Sequence, residues 1–299
     1  MFAPNLAALR YRNVLSNRGG PIARLDLFDT TLLGRRCFQA NAYLRPELVA
    51  WRSAGEVFSS ANGTGTDASP MVARFKAVSE AIERWAQMAV VSSSEPHRFG
   101  FDVDPSSNGM AAFPGLFRRQ ARQAALMEAA ERFNLLSWWE GRLAATERES
   151  RWPGVRAAVL CSEAPGVTVI LFRQTEHGFF SYGHAAAETF EAACDRAAVE
   201  LERHTYVVRS YALVHAGVSA LPATAHPMDR RCLFFAQPEG HEFFLERLRS
   251  RPAAIHAKPR VVFDGPVPGP WDDFAGVWRV AYEPPSHRHL ARTENYFYW

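Results

Sequence analysis

The pattern of apolar and polar residues divides the chain into strand-like and helix-like segments. Residues 22–31 alternate between the two as a half-buried strand does, and residues 55–58 form a short strand-like run that enters a turn-rich loop at 59–70. Three longer stretches repeat apolar residues every three to four positions, which is the period of an amphipathic helix. These stretches predict long helices over about 71–88, 116–139 and 186–214.

The segments between and after these helices predict further strands. Residues 155–161 and 167–172 flank a turn that contains Gly166, so they predict a β-hairpin, and residues 178–183 predict an additional strand. The remaining predicted elements are a helix over 239–250 and strands over 260–263 and 277–282. Because strands and long helices alternate, we expect a layered α/β or α+β architecture. No linker-like segment divides the chain, so residues 1–299 are predicted to form a single domain.

Composition and charge exclude several classes of protein. Apolar residues make up 47% of the 299, enough for a large core, and no apolar run reaches the ~18 residues of a membrane span. The N-terminus lacks the pattern of a signal peptide and the four cysteines form no CxxC pair, so we expect a cytoplasmic protein. The 34 basic and 31 acidic residues nearly balance, which disfavours binding to nucleic acid. Only Lys76 and Lys258 are lysines, so chemistry that requires a lysine amine must use one of them.

The three predicted long helices share a short charged motif. It reads AVSEAIERW at 77–85, ALMEAAERF at 125–133 and AAVELERH at 197–204. Residues three or four apart share one face of a helix, so each motif carries a stripe of carboxylates and arginine beside an apolar stripe. A single stripe of this kind is usually a solvated surface, but three stripes that converge would gather carboxylates that only a cation can neutralise. Mg²⁺ prefers oxygen ligands and arginine suits phosphate oxygens, so the repeat suggests a magnesium–nucleotide site.

Residues 59–89, SSANGTGTDASPMVARFKAVSEAIERWAQMA, resemble the YcaO family of ATP-dependent enzymes that activate peptide backbone amides. The segments ALMEAAER and GHAAAETFEAACDRAAVELER follow in the order of that family's second and third helices. The resemblance covers about 20–215, and 216–299 would be the C-terminal part of the same domain. It implies an α/β fold of repeated strand–helix units, in which three long Glu-bearing helices surround a central ATP site.

The resemblance also implies a reaction and its participants. The expected activity is that of a cyclodehydratase, which uses ATP and Mg²⁺ to form thiazoline or oxazoline rings in a ribosomally made peptide. The implied partners are the precursor peptide, an E1-like protein that presents it and an FMN dehydrogenase. Two alternatives stay open: a YcaO enzyme that forms a thioamide or an amidine, and a non-catalytic YcaO-like subunit that binds peptide or acts as a scaffold.

The family motifs assign ligand positions but no catalytic residue. The positions assigned to the nucleotide are Lys76, Glu80, Glu83, Arg84, Glu128, Glu131, Glu200, Arg203 and His204. Of these, Glu80, Glu83, Glu128 and Glu200 are the expected metal ligands. The chain departs from the family pattern where Lys76, Ala124 and His204 replace the usual Ser, Asn and Gln. Lys76 either holds a phosphate or closes the pocket through an ion pair with Glu80.

Two smaller features add expectations. The amides of Gly63 and Gly65 precede a helix and so offer an alternative phosphate-binding loop, although a simple turn explains them as well. The aromatic end of the chain, 296–299, is expected to dock into the core or a partner, with Arg288 and Arg292 as candidate anchors or phosphate ligands.

Overall fold

The computed structural model describes residues 6–49, 57–58, 60–215, 226–251, 257–291 and 293–298. Its helices in chain order are α1 (Ala7–Arg10), α2 (Pro70–Val91), α3 (Arg119–Trp139), α4 (Phe190–His215), α5 (Pro227–Phe235) and α6 (Pro238–Arg249). Its strands are β1 (Ile22–Leu32), β2 (Arg35–Leu44), β3 (Gly63–Asp67), β4 (Met110–Phe113), β5 (Ala145–Glu149), β6 (Arg156–Leu160), β7 (Val167–Gln174), β8 (Phe180–Ala187), β9 (Val261–Pro266) and β10 (Gly276–Tyr282). The chain is therefore a mixed α/β protein.

The chain divides into two compact units. The first contains Met1–Ser53, Ser60–Ala129 and Arg260–Glu283, and the second contains Ala54–Ser59, Ala130–Pro259 and Pro284–Trp299. The prediction of a single domain stays a prediction, and each unit is described by itself.

The first unit is built on a sheet of order β1-β2-β3, against which α2 packs. Helix α2 begins at a Ser69 cap with Pro70 in its first turn. Its buried face is rich in alanine, and the facing strand β3 has glycines that allow the two backbones to meet. A Cβ atom on Gly65 would lie 2.1 Å from the carbonyl oxygen of Ala73, so only glycine fits there.

A second, smaller sheet of order β4-β10-β9 completes the first unit. The first half of α3 packs on it through Ala125 and Ala129, which form a buried cluster with Ala111 and Val280. Arg279, on the central strand β10, is fully buried and lies 3.7 Å from the centroid of the Phe101 ring.

The second unit repeats the strand–helix arrangement. Its sheet has the order β5-β6-β7-β8, all antiparallel, and α4 packs against β8. A Cβ atom on Gly183 would lie 2.2 Å from the carbonyl oxygen of Ala197, so this helix also approaches its strand closely. A buried cluster of this unit is rich in aromatic side chains and includes Trp138, Phe235 and Phe297. Each unit therefore places one long helix of the repeat on the end strand of a sheet.

Most of the predicted elements are confirmed. The strand at 22–31, the three long helices and the hairpin at 155–172 are present with shifted ends. The predicted start of the third helix at 186 is wrong, because strand β8 continues to Ala187. The turn-rich loop predicted at 59–70 is also wrong, because it contains β3. Of the strand predicted at 55–58, residues 55–56 lie outside the described residues, and 57–58 are not in a strand.

The structure also bears on membrane spans and on the state of the cysteines. In the parts of the chain that the structure describes, no helix is long and apolar enough to cross a membrane. Cys37, Cys194 and Cys232 are buried thiols and Cys161 is an exposed one.

Candidate functional site

The predicted ligand residues are distributed over both units. Lys76, Glu80, Glu83 and Arg84 lie on α2, and Glu128 lies on the part of α3 that belongs to the same unit. The predicted ligands in the second unit are Glu131, Glu200, Arg203 and His204. The predicted ligands of each unit are therefore described with their contacts inside that unit.

Two carboxylates of the first unit are close enough to oppose each other's ionisation. Burial raises the pKa of Glu83 well above its ordinary value, and the negative charges of Glu128 and, more weakly, Glu80 act in the same direction. The guanidinium groups of Arg84 and Arg279 offset only part of this effect. A cation bound between such carboxylates would relieve their repulsion, so Glu83 and Glu128 have the donor chemistry that Mg²⁺ requires.

Glu80 is anchored to the outer edge of the first sheet. One of its oxygens, Oε2, accepts hydrogen bonds from the backbone N–H of Thr64 at 3.0 Å and from the Thr64 hydroxyl at 3.2 Å. Its other oxygen, Oε1, lies 3.8 Å from the guanidinium of Arg84. Because β3 is the end strand, this bond satisfies a backbone donor that no neighbouring strand can reach. Thus Oε2 of Glu80 is hydrogen-bonded to Thr64, whereas Oε1 is in a long ion pair with Arg84.

Lys76 is bound to the same strand rather than to Glu80. Its ammonium group donates to the Thr66 carbonyl oxygen at 3.1 Å and to Asp67 Oδ2 at 2.8 Å. Partial burial alone would raise the pKa of Asp67, but the bonds from Lys76 and the Ser69 backbone lower it overall. Of the two alternatives for Lys76, the ion pair with Glu80 is therefore wrong, because its ammonium group is bound to acceptors on the strand edge.

Replacing Lys76 with the family's serine tests whether this lysine has a second role. We expect Lys76→Ser to lower the free energy of unfolding by about 1 kcal/mol or less, because the pair with Asp67 is half exposed. We expect the affinity for Mg–AMPPCP, measured by calorimetry, to stay within about threefold. Lys258→Ser, at the only other lysine, is the control. A tenfold loss of affinity in Lys76→Ser alone would assign the ammonium group to a phosphate instead.

In the second unit, His204 is buried and uncharged. Burial lowers its pKa to about 3, and a hydrogen bond with the Cys232 backbone offsets only part of that effect. Its Nδ1 accepts the backbone N–H of Tyr182 on the end strand β8 at 3.4 Å. The side chain that replaces the family's glutamine thus caps a sheet edge, as Glu80 does in the first unit.

Glu131 and Glu200 differ in their surroundings. Glu131 Oε1 accepts a 2.6 Å hydrogen bond from Nδ1 of His184, and its Oε2 accepts the Ala186 N–H at 3.2 Å. Glu200 is exposed and forms a 2.8 Å ion pair with Arg203 on the next turn of α4. Glu131 therefore holds a histidine on the end strand, whereas Glu200 is exposed at the surface and is paired with the largely buried Arg203.

The predicted metal ligands do not form a complete cage. Among the residues that the structure describes, no group of three or more His, Cys, Asp or Glu side chains is arranged to hold a metal ion. Mg²⁺ usually takes only one or two carboxylates from a protein and completes its shell with phosphate oxygens and water. The pair formed by Glu83 and Glu128 fits that requirement without a third ligand.

The aromatic C-terminus docks within the second unit. Tyr296, Phe297 and Tyr298 are almost fully buried, which confirms the expected docking into a core. Of the anchors predicted by the sequence, Arg292 lies outside the described residues. Arg231 anchors this segment by donating to the carbonyl oxygens of Ala291, Thr293 and Tyr298 at 2.6, 2.9 and 3.0 Å, and the Tyr296 hydroxyl donates to Glu140 at 2.8 Å.

Sequence reasoning missed several residues of these sites. His184, Asp67 and Arg279 belong to no charged helix stripe, so the helical repeat gave no signal for them. The two nearby glycines, Gly63 and Gly65, suggested a phosphate-binding loop. In the structure they lie in strand β3 and allow α2 to pack closely on it. The polar residues just before α2 could have identified Asp67, because it lies two positions before the Ser69 cap.

Comparisons with known proteins identify the fold. No protein-family model matches the chain, and no curated protein matches it in sequence. The structure is similar to YcaO from Methanopyrus kandleri bound with AMPPCP and Mg²⁺, with a TM-score of 0.52 and 13% identity over 97% of this chain and 92% of that one. It is also similar to a chain of the E. coli microcin synthetase McbBCD complex with pro-MccB17 bound, with a TM-score of 0.52 and 13% identity over 86% of each. The chain has the YcaO fold, which confirms the predicted fold class.

Proposed function

We propose that this chain, which has the YcaO fold, is a Mg–ATP-dependent enzyme that activates backbone amides of a ribosomally made peptide. The observation that carries the proposal is the carboxylate pair of Glu83 and Glu128 beside Glu80 on helices that match the family motifs. The similar M. kandleri YcaO is bound with AMPPCP and Mg²⁺, which supports a nucleotide and a metal as ligands of a chain with this fold.

The first unit would supply the ligands for magnesium and phosphate. Glu83 and Glu128 would hold the cation, Arg84 would contact phosphate oxygens, and Glu80 would offer the oxygen that the Thr64 bonds leave available. Because the pKa of Glu83 is raised, binding of a cation would release a proton from this site. ATP, when bound, supplies the phosphoryl group that turns a poor amide leaving group into a good one.

The specific reaction we propose is cyclodehydration to thiazoline or oxazoline rings in a cytoplasmic multi-protein complex. The similarity to a chain of the McbBCD complex with pro-MccB17 bound supports a peptide substrate and partner subunits. We propose an E1-like protein that presents the peptide and an FMN dehydrogenase as those partners. Glu200 and Arg203 of the second unit are proposed as further nucleotide ligands on the family motif, and the exposed Glu200 carboxylate supports this for Glu200.

Two alternatives keep specific support. A thioamide- or amidine-forming enzyme would use the same carboxylates with an external nucleophile, and the mass of the product distinguishes it from a ring former. A non-catalytic scaffold or peptide-binding subunit is favoured by Lys76 and His204, whose side chains are engaged with strand edges. Calorimetry with Mg–ATP distinguishes this alternative, because a scaffold has no reason to bind the nucleotide.

The test combines binding and product mass in wild type and Glu80→Gln. Glutamine keeps an oxygen that accepts the Thr64 N–H but lacks the charge, so the fold should survive. We expect wild type to bind Mg–ATP and to remove one water from its peptide for each ring. We expect Glu80→Gln to lose at least tenfold in affinity, about 1.4 kcal/mol. Glu149→Gln, on the exposed strand β5, is the control. No binding and no ATP consumption by the wild-type complex would refute the enzymatic function.

A further inference from the structure

A carboxylate–histidine pair connects α3 to β8, the end strand of the four-stranded sheet in the second unit. Nδ1 of His184 lies 2.6 Å from Glu131 Oε1, and the second oxygen of Glu131 accepts the Ala186 N–H. A carboxylate only accepts hydrogen bonds, so Nδ1 must carry the proton that joins the two groups. In the neutral imidazole the other nitrogen, Nε2, is then a proton acceptor.

The surroundings of His184 hold the imidazole in place but leave it accessible. Its side chain is 16% exposed and that of Glu131 is 19% exposed, so neither group is sealed in a core. In the described part of the chain, the bond to Glu131 is the only hydrogen bond of His184. Charged or titratable groups near this strand include Arg196, which donates to the Ala186 carbonyl oxygen, and the uncharged His204. Nε2 thus has no competing donor.

The geometry points to His184 as the general base of the proposed reaction, with Glu131 as its positioning residue. This inference rests on the proposed function, because a ring-forming enzyme must remove a proton from the attacking side chain. A carboxylate that fixes the tautomer and orientation of a histidine is the arrangement that general bases use in unrelated folds. A purely structural ion pair has no need of an accessible Nε2.

The step assigned to His184 is the first one. The hydroxyl or thiol proton of the peptide moves to Nε2, while the oxygen or sulfur forms a bond to the preceding carbonyl carbon. The carbonyl π pair moves onto the carbonyl oxygen, and the imidazolium charge is stabilised by Glu131. No oxidant or reductant is involved.

The two kinds of nucleophile differ in their need for a base. A thiol has a pKa of about 8.5 and is a few per cent ionised near pH 7, whereas a serine or threonine hydroxyl is not ionised there. A built-in base therefore suits an enzyme that forms oxazolines as well as thiazolines. It also makes a prediction that a structural role does not share, since damage to the fold would slow both reactions equally.

The experiment uses the enzyme with its partner proteins and two peptides that differ only in Ser or Cys at the modified position. We expect His184→Gln to slow loss of water from the Ser peptide by about 10²–10³-fold and from the Cys peptide by about tenfold or less. We expect affinity for Mg–AMPPCP to stay within about twofold. His177→Gln, in the exposed turn before β8, is the control and should change none of these values.

A second measurement does not depend on turnover. Nitrogen NMR of the His184 ring in wild type should show the proton on Nδ1, and Glu131→Leu, which has no acceptor for that proton, should change the tautomer. Equal slowing of both peptides, or no slowing, overturns the inference while leaving the proposed function intact. A wild-type complex that binds Mg–AMPPCP but modifies neither peptide refutes the ring-forming function and this inference with it.

Discussion

Glu83→Gln will unfold at a higher temperature than the wild type at pH 7 and will lose the stabilisation that Mg–AMPPCP gives the wild type. Burial and the neighbouring Glu128 carboxylate raise the pKa of Glu83, so the folded protein holds the charged form of this residue unfavourably. A neutral amide removes that cost. We expect a rise in Tm of about 2 °C or more, on the scale that 1 kcal/mol produces in a chain of this size.

The raised pKa of Glu83 also determines how the free energy of unfolding changes with pH. An unfolded chain releases the Glu83 proton near the ordinary value of 4.5, whereas the folded protein keeps it to higher pH. The unfolded state then binds fewer protons, so the stability of the wild type falls as pH rises from about 4.5 towards the raised pKa. The free energy of unfolding of Glu83→Gln should fall less over that interval.

The ligand supplies the larger effect. A ligand at 100 times its dissociation constant stabilises the folded state by about 2.7 kcal/mol, which thermal unfolding with and without Mg–AMPPCP will detect in the wild type. Glu83→Gln should show almost none of this shift. Glu246→Gln, on the exposed side of α6, should resemble the wild type in both measurements. A variant that gains stability but still responds fully to Mg–AMPPCP would remove Glu83 from the binding site.

The parts of the fold that the sequence predicts well are those set by neighbours along the chain. Helix α2 has its cap at Ser69, a proline in its first turn and a buried stripe of alanines, all of which are local signals. The charged motif on that helix is local too, so the placement of Glu80, Glu83 and Arg84 on one face follows from their spacing. Burial of Trp138 and Trp139 also follows from an apolar helix end.

The parts that sequence misses depend on contacts between distant segments. Strand β3 has a turn-like composition because α2 packs so closely on it that Gly63 and Gly65 must lack a side chain. Glycine has a low strand propensity, so this segment does not look like a strand in the sequence. The partner of Lys76 is Asp67 rather than Glu80, which only the pairing of helix and strand determines. His184 is an isolated histidine in the sequence, and it becomes a candidate base only when Glu131, 53 residues earlier, is beside it.

Loss of the Arg231 side chain will strongly destabilise the second unit. This residue is fully buried and donates to three backbone carbonyl groups around the C-terminal segment. Burial lowers its pKa to about 10, so it remains charged at neutral pH. Because a hydrogen bond from a charged group contributes about 1.5–3 kcal/mol, we expect Arg231→Met to lower the free energy of unfolding by at least about 3 kcal/mol.

Urea unfolding of matched variants will isolate the contribution of the docked tail. Arg142→Met removes one exposed bond, to the Pro285 carbonyl oxygen, and should cost no more than about 1 kcal/mol. Deletion of 293–299 should destabilise the protein by an amount similar to Arg231→Met. If Arg231 acts through the tail, the two changes will not add when combined, because they remove the same interaction. Full additivity would show that Arg231 stabilises the unit through other contacts, such as its hydrogen bond to Ala291, and that the aromatic tail docks independently of it.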